Sequence, residues 1–337
     1  MTAKKVLVTG AGGFIGHHMV RFLKGKGYWV RGVDIKKPEY SSADETDEFL
    51  LLDLRDAQNA LISTAGIDHV YTFAANMGGI GFIETVHAEI MHDNVLINAN
   101  IAEASKKNKV KQIFYASSAC VYQTSKQVDP NVAALKETDA YPAEPDNEYG
   151  WEKLFSERLF TNYQNDYGIP VRIARFHNIY GPEGTYDGGR EKAPAAACRK
   201  VAEIEDGGNI LIWGDGKQTR SFCYIDDCLE GVYKLMMSDF SKPINIGSDQ
   251  LVTVDYLHDL AAKIADKKIN KVYDTTKPQG VRGRNSDNTL LNKTLKWEPQ
   301  ISLEAGLRET YQWIKKEIAS SKKAKKDYSP QVVQSTQ

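Results

Sequence analysis

Apolar positions in this chain follow two rhythms. Short, nearly continuous apolar runs occur at KKVLVTG (4–10), WVRGVD (29–34), EFLLLDLRD (48–56), HVYTFAA (69–75), KQIFYASS (111–118) and PVRIARF (170–176). Their length and bounding turn residues predict buried strands. Between them the apolar residues recur with helical spacing: from the first run to Gly25–Gly27, from the third to about residue 65, over roughly 84–107, and over EYGWEKLFSERLFTNYQNDY (148–167). Strand and helix in alternation predict an α/β protein built on a Rossmann-type, doubly wound parallel sheet.

After Asn178 the regularity fades. Segments 177–216 and 247–319 mix loops with short strands such as NILIWG and helices such as VDYLHDLAAKIADK, which predicts a smaller α/β lobe for substrate. Residues 1–176 together with 217–246 are assigned to the dinucleotide-binding domain, SFCYIDDCLEGVYKLM (221–236) returning the chain to it as a strand and a helix. The Lys/Ser-rich end, 320–337, has no periodicity and is expected to be disordered.

Composition narrows the class of partner. Forty-three basic and 44 acidic residues leave a net charge of −1, so no overall field favours nucleic acid or a membrane surface. No apolar run approaches the ~20 residues of a membrane span, and a first strand from about Lys5 leaves no room for a signal peptide. Four cysteines, Cys120, Cys198, Cys223 and Cys228, form no CxxC pair and no zinc spacing. They point to a reduced, cytoplasmic protein without a metal site.

Chemistry begins at the first turn. Gly10, Gly13 and Gly16 stand between strand and helix in GAGGFIG, where small residues let the helix-end amides of Phe14 and Ile15 approach a pyrophosphate. Asp34, ending the second strand, suits the adenosine ribose hydroxyls and repels a 2′-phosphate, favouring NAD although Lys36 and Lys37 follow. Asp53 reads equally as an adenine partner or a strand-end charge. Tyr149 and Lys153 share one helix face, so the ammonium is expected to lower the phenol's pKa and make it a usable base. Ser118, at the end of another strand, can hydrogen-bond the reacting oxygen.

GAGGFIG, Ser118 and YGWEK (149–153) together resemble the extended short-chain dehydrogenase/reductase superfamily, over residues 4 to about 316. The resemblance implies that Tyr149 is the base, that Lys153 binds the cofactor ribose and tunes Tyr149, and that Ser118 orients a nucleotide sugar. SSAC (117–120), FAANMGGIGFI (73–83), GGREKAP (188–194), WGDGKQTRSF (213–222) and GVRGRNSDN (280–288) resemble the members that epimerise GDP-hexoses. They imply GDP-mannose as substrate: oxidation at C4, proton exchange at C3 and C5 through an enolate, and re-reduction to GDP-L-galactose, with GDP-L-gulose as the C5-only product. Cys120 and Lys192 are then the acid/base pair. Burial would lower the lysine's pKa, and cations such as Arg190 would lower the thiol's.

The same resemblance implies nucleotide-sugar contacts from Gly78, Ser118, Asn178, Glu191, Lys192, Lys200, Gln218, Thr219, Arg220, Arg282 and Arg284, with Arg284 the best diphosphate anchor. It also implies a homodimer through helices 84–107 and 148–167. Trp213 is expected to pack inside the second lobe, His177 to be structural or to support the site from behind, and Cys198, Cys223 and Cys228 to be core thiols. Gln123-Thr124 departs from the resembled pattern and leaves the loop shape beside Cys120 open. A GDP-fucose-forming epimerase–reductase would use a histidine in place of Lys192 and prefer NADPH against Asp34. A 4,6-dehydratase would need an acidic pair at Ala119-Cys120, and a 4-epimerase has no use for the thiol. A catalytically inactive NAD sensor on this fold would usually lack Tyr149 and Lys153.

Overall fold

A computed structural model describes residues 4–327. The first half alternates as expected: β1 (Lys5–Thr9), α1 (Phe14–Gly25), β2 (Trp29–Asp34), β3 (Glu48–Leu51), α2 (Ala57–Thr64), β4 (His69–Thr72), α3 (Ile80–Ile83), α4 (Ala88–Lys107), β5 (Gln112–Ser118), α5 (Glu148–Tyr167) and β6 (Val171–Phe176). Then come β7 (Ile179–Tyr180), α6 (Ala193–Glu203), β8 (Gly208–Trp213), β9 (Thr219–Ser221), β10 (Cys223–Tyr224), α7 (Ile225–Met236) and β11 (Ile244–Ile246). The chain closes with β12 (Leu251–Thr253), α8 (Val254–Ala265), β13 (Ile269–Asp274), β14 (Gly283–Arg284), α9 (Thr289–Leu295) and α10 (Leu303–Asp327).

Seven parallel strands form the central sheet in the order β11-β6-β5-β4-β1-β2-β3. Val6, Leu7 and Val8 of β1 are fully buried, and every residue of β4 and β6 is buried. Helices cover both faces, so the strands read as continuous apolar runs rather than alternating ones. The chain reverses direction across the sheet between β1 and β4. A ligand crevice forms outside the strand ends at such a switch point.

Four expectations need correction. The helix expected from 84 starts at Ala88, because α3 ends at Ile83, 84–85 turn, and 86–87 are irregular. The third strand stops at Leu51 rather than running to 56. Segment 217–221, grouped with the first lobe by the sequence, carries β9, which pairs with β12 and β14 rather than with the central sheet. Residues 320–327 of the expected disordered tail continue α10, as a Lys/Ala-rich run free of Gly and Pro permits; 328–337 lie outside the described residues. Among the described residues no helix is long and apolar enough to cross a membrane.

Candidate active site

The dinucleotide side of the crevice is made of backbone. Gly10 adopts φ +72° and donates to the Val33 carbonyl at 2.9 Å. A Cβ there would lie 2.7 Å from the Ala74 nitrogen, beyond the end of β4. A Cβ at Gly16 would overlap the Gly10 carbonyl oxygen. Gly13 caps α1 without a side chain, leaving the first-turn amides of Phe14 and Ile15 at the positive helix end. The Phe14 ring packs under the turn at Gly181 and Gly184. Asp34 accepts from the Gly12 amide at 2.9 Å and the Lys36 amide at 3.2 Å. Burial raises its pKa and these amides oppose that shift. The cradle, whose shape side chains would fill, fits a dinucleotide pyrophosphate with Asp34 at the ribose. Asp53 is engaged with Arg55 through contacts of 2.6–3.0 Å, which lower its pKa.

Tyr149, Lys153, Ser118 and Cys120 are brought together by α5 meeting the end of β5. Asn147 caps α5 by accepting from the Gly150 amide at 2.9 Å. A Cβ at Gly150 would overlap the Cys120 carbonyl oxygen, so glycine lets the helix rest directly on that backbone. The Lys153 ammonium donates to the Ala116 carbonyl at 3.1 Å and lies 5.4 Å from the centre of the Tyr149 ring. Tyr149 is buried in an apolar cluster with Ile83, Ile90, Met77 and Phe82. The expectation of a lowered phenol pKa is therefore reversed for the protein groups alone. Burial, the Glu152 carboxylate and Cys120 push it well above 10, and the hydrogen bond with Ser118 works the other way.

Cys120 sits in a single 3-10 turn, Ala119–Val121, whose Cys120 amide donates to Ser118 Oγ at 3.2 Å. The thiol is half-buried and has a cationic neighbour: Arg284 Nη1 lies 3.2 Å from its Sγ. Arg284 also donates to Gln127 Oε1 at 2.6 Å and to Asp146 Oδ2 at 2.7 Å, and it is 7% exposed. Its donors are engaged inside the protein, which sets a largely buried arginine directly behind Cys120. Gln123 and Thr124, left open by the sequence, are tied down at 2.6 Å to the Pro142 carbonyl and at 2.9 Å to that of Glu144. They lead into the turn that presents Gln127 to Arg284.

Lys192 precedes the first turn of α6, where Pro194 stands. Burial lowers its pKa, as expected, while the charges of Cys120 and Cys228 act to raise it. Among the described residues no carboxylate lies within ion-pair distance of its ammonium.

The other expected substrate residues divide. Arg220 is half-buried and hydrogen-bonds only carbonyls, of Thr219 at 2.7 Å and Gln279 at 3.4 Å. Burial and the charge of Arg284 press against its own charge, a cost that an incoming anion would relieve. Arg282 is paired with Asp215 at 3.0 Å through both nitrogens. Glu191 accepts from the Gly189 amide at 2.7 Å and from Arg199 at 3.3 Å, Lys200 donates to the Leu211 carbonyl at 2.6 Å, and the Thr219 hydroxyl donates to the Pro130 carbonyl. Asn178 holds φ +45° and donates to the Ser221 carbonyl at 2.9 Å. Gln218 donates to the Trp213 carbonyl at 3.1 Å while its buried Oε1 has no partner.

Gly78 packs on Phe82, and the glycine-rich loop meets the second lobe at Gly79, whose amide donates to the Arg190 carbonyl at 3.0 Å. Trp213 does not stay inside the second lobe: its ring reaches the same loop at Gly81. His177 is fully buried, bonded to Asn245 Oδ1 at 3.0 Å and held neutral, its pKa lowered to about 3 by burial. Cys198, Cys223 and Cys228 are core thiols. Sequence reasoning misses Gln127, Asp146, Asn94 and Glu152. Only Glu152 carries a signal, an acid three residues from Tyr149 and so on its helix face.

Residues 6–247 match the NAD dependent epimerase/dehydratase family. The chain is 49% identical over 326 residues to GDP-mannose 3,5-epimerase of Arabidopsis thaliana, covering 96% of this chain and 86% of that protein. It is 50% identical over 319 residues to GDP-mannose 3,5-epimerase 1 of Oryza sativa subsp. japonica, covering 94% and 83%. The fold matches UDP-glucose 4-epimerase of Thermotoga maritima, solved with UDP-glucose, at TM-score 0.83 and 26% identity over 93% of this chain and 99% of that one. The chain belongs to the NAD dependent epimerase/dehydratase family, and its cofactor is NAD.

Proposed function

We propose that this protein epimerises GDP-mannose at C3 and C5, giving GDP-L-galactose and, from exchange at C5 alone, GDP-L-gulose. The observation that carries the reading is the Cys120 thiol packed against the Tyr149 cluster, with the Lys192 ammonium near enough to interact with its charge. Simple alcohol oxidation needs neither of them. The relatives at about half identity bear the name of this activity.

When bound, NAD supplies a reversible hydride sink. Tyr149 takes the proton of the C4 hydroxyl, Ser118 donates to the C4 oxygen, and Lys153 supplies the positive charge that Tyr149 needs. A ketone at C4 acidifies the C–H bonds at C3 and C5, because either carbanion delocalises into it. Cys120 and Lys192 then remove and return those protons on opposite ring faces. A lowered lysine pKa leaves more neutral amine at neutral pH than a surface lysine would have. Arg284 donates to the Cys120 sulfur and sets a positive charge beside it. Arg220 receives the diphosphate, with Gly78, Asn178, Glu191, Lys200, Gln218, Thr219 and Arg282 shaping the nucleotide-sugar side and Asp53 near the adenine.

Two finer readings accompany this one. The protein works in the cytoplasm, in keeping with three fully buried thiols and no disulfide among the described residues. It forms a homodimer through α4 and α5, on which Met91, Trp151 and Phe155 are 38%, 45% and 50% exposed. Sedimentation should give twice the chain mass, and Trp151→Glu with Phe155→Glu should halve it.

The decisive experiment is incubation with GDP-mannose and NAD in D2O, read by NMR. Deuterium is expected at C3 and C5 for the wild type, and both Cys120→Ser and Lys192→Ala should lose C5 incorporation. Normal C5 exchange in both variants would falsify the proton-shuttle assignment. Turnover of UDP-sugars with none of GDP-mannose would overturn the substrate.

A further inference from the structure

Behind the Tyr149/Lys153 pair lies a carboxylate that the scheme above leaves without a task. Glu152 is fully buried. Its Oε1 accepts from Asn94 Nδ2 at 2.9 Å and lies 3.7 Å from the Lys153 ammonium, and its Oε2 accepts from Ser156 Oγ at 3.4 Å. Asn94, on α4, also clasps the backbone of Asn76, accepting from its amide at 2.6 Å and donating to its carbonyl at 3.2 Å. Asn76 belongs to the glycine-rich loop, two residues before Gly78. A buried acid costs several kcal/mol unless its charge is answered, and among the described residues the one cation beside this carboxylate is Lys153.

We propose that Glu152 is a positioning residue that sets the proton affinity of Tyr149 by partly neutralising Lys153, and that Asn94 links this setting to the glycine-rich loop over the sugar. The inference rests on the reading of Tyr149 as the base. Lys153 alone would favour the phenolate; an opposed carboxylate holds the phenol protonated until further positive charge arrives, so the base becomes active only in the loaded site. The groups facing this network are Tyr149, Lys153 and Glu157 on α5, Tyr115 on β5, and Cys120 beyond Ser118; Asn94 and Asn98 on α4 are neutral. Glu157 is already closed off by Arg175 at 2.7 Å. Burial raises the pKa of Glu152, and Lys153 and Asn94 counter that shift.

The test is Glu152→Gln in the NAD-bound protein. Removing the negative charge favours the phenolate, so the acid limb of the kcat/KM profile should move to lower pH by about one unit. A limb that stays in place while the melting temperature falls would make Glu152 merely structural and overturn the inference. Should Glu152→Gln fail to fold, Glu152→Asp, which draws the charge back by one methylene, should move the limb the same way by less, and an unmoved limb there is equally fatal. Tyrosinate absorbance during pH titration of NAD-bound wild type, Glu152→Gln and Tyr149→Phe reads the same shift without turnover. A wild type that accepts no nucleotide sugar therefore sinks the functional reading, whereas an unmoved tyrosinate transition in Glu152→Gln sinks this one.

Discussion

The two walls of the crevice are built from different materials. On the dinucleotide wall, selectivity comes from backbone brought so close that side chains are excluded, as at Gly10 against Ala74 and Gly16 against the Gly10 carbonyl. The other wall, beside Cys120, is held by long cationic side chains whose partners lie far off in sequence, as Arg284 is by Gln127, Asp146 and Cys120. A steric wall fails abruptly when an atom is added. An electrostatic wall fails by degrees, according to how deeply each charge is buried and what remains unpaired when its partner is removed.

The largest effect is expected on the steric wall. Gly16→Val must displace either α1 or the Gly10 turn, and NAD affinity should fall at least ~100-fold, the scale of a ligand cradle pushed out of register by an ångström. Calorimetric titration with NAD measures it. Retained affinity would mean that this wall is as forgiving as the other.

Next comes the buried end of the electrostatic wall. Arg284→Met leaves the Asp146 carboxylate and Gln127 without their donor, and breaking a buried pair on one side costs about 3–5 kcal/mol. Urea unfolding should show that loss, and C5 deuterium exchange should fall with it because Cys120 loses its cation. Adding Asp146→Asn should recover part of the stability and none of the exchange. Equal recovery of both would make Arg284 a purely structural residue.

His177, just beyond the end of β6, gives the pH dependence. Its folded pKa, about 3, lies below the unfolded value of 6.5. Folding therefore favours the neutral ring, and the associated stability is fully present above pH 6.5 and lost as pH falls towards 3. One such group accounts for a loss of about 2 kcal/mol between pH 6.5 and 5. His18, His69 and His258, each lowered to about 4 by burial, add in the same direction. Urea midpoints for His177→Asn should fall less steeply with acid than those of the wild type, while the kcat/KM profile keeps its limbs. A moved limb would make His177 a participant in proton transfer.

The difference between the walls also explains what is legible in the sequence. A backbone cradle must be written locally, so GAGGFIG and Asp34 announce it, and helix 148–167 can be bounded correctly because its Asn147 cap and Gly168 stop are adjacent to it. Arg284 depends on Asp146 and Gln127, 138 and 157 residues away. Nothing in its neighbourhood distinguishes it from an exposed loop arginine. The spacing begins helix 84–107 too early because no glycine or proline between Glu84 and His87 marks the break after α3. Polarity alone predicts a disordered tail, although lysine and alanine propagate a helix as readily as they solvate a coil.

The smallest expected effect tests the comparison most finely, since Arg282 and Arg284 stand two residues apart and differ mainly in burial. The Arg282 side chain is 30% exposed and its partner Asp215 37%. A pair so open to water contributes about 0–1 kcal/mol. Arg282→Ala should therefore leave the urea midpoint within that range, and C5 exchange should proceed at the wild-type rate once GDP-mannose saturates. Any change should fall on KM, by severalfold at most, because the charge is open to water. A stability loss matching that of Arg284→Met would mean that partner geometry rather than burial governs this wall, and the contrast drawn between the two arginines would fail.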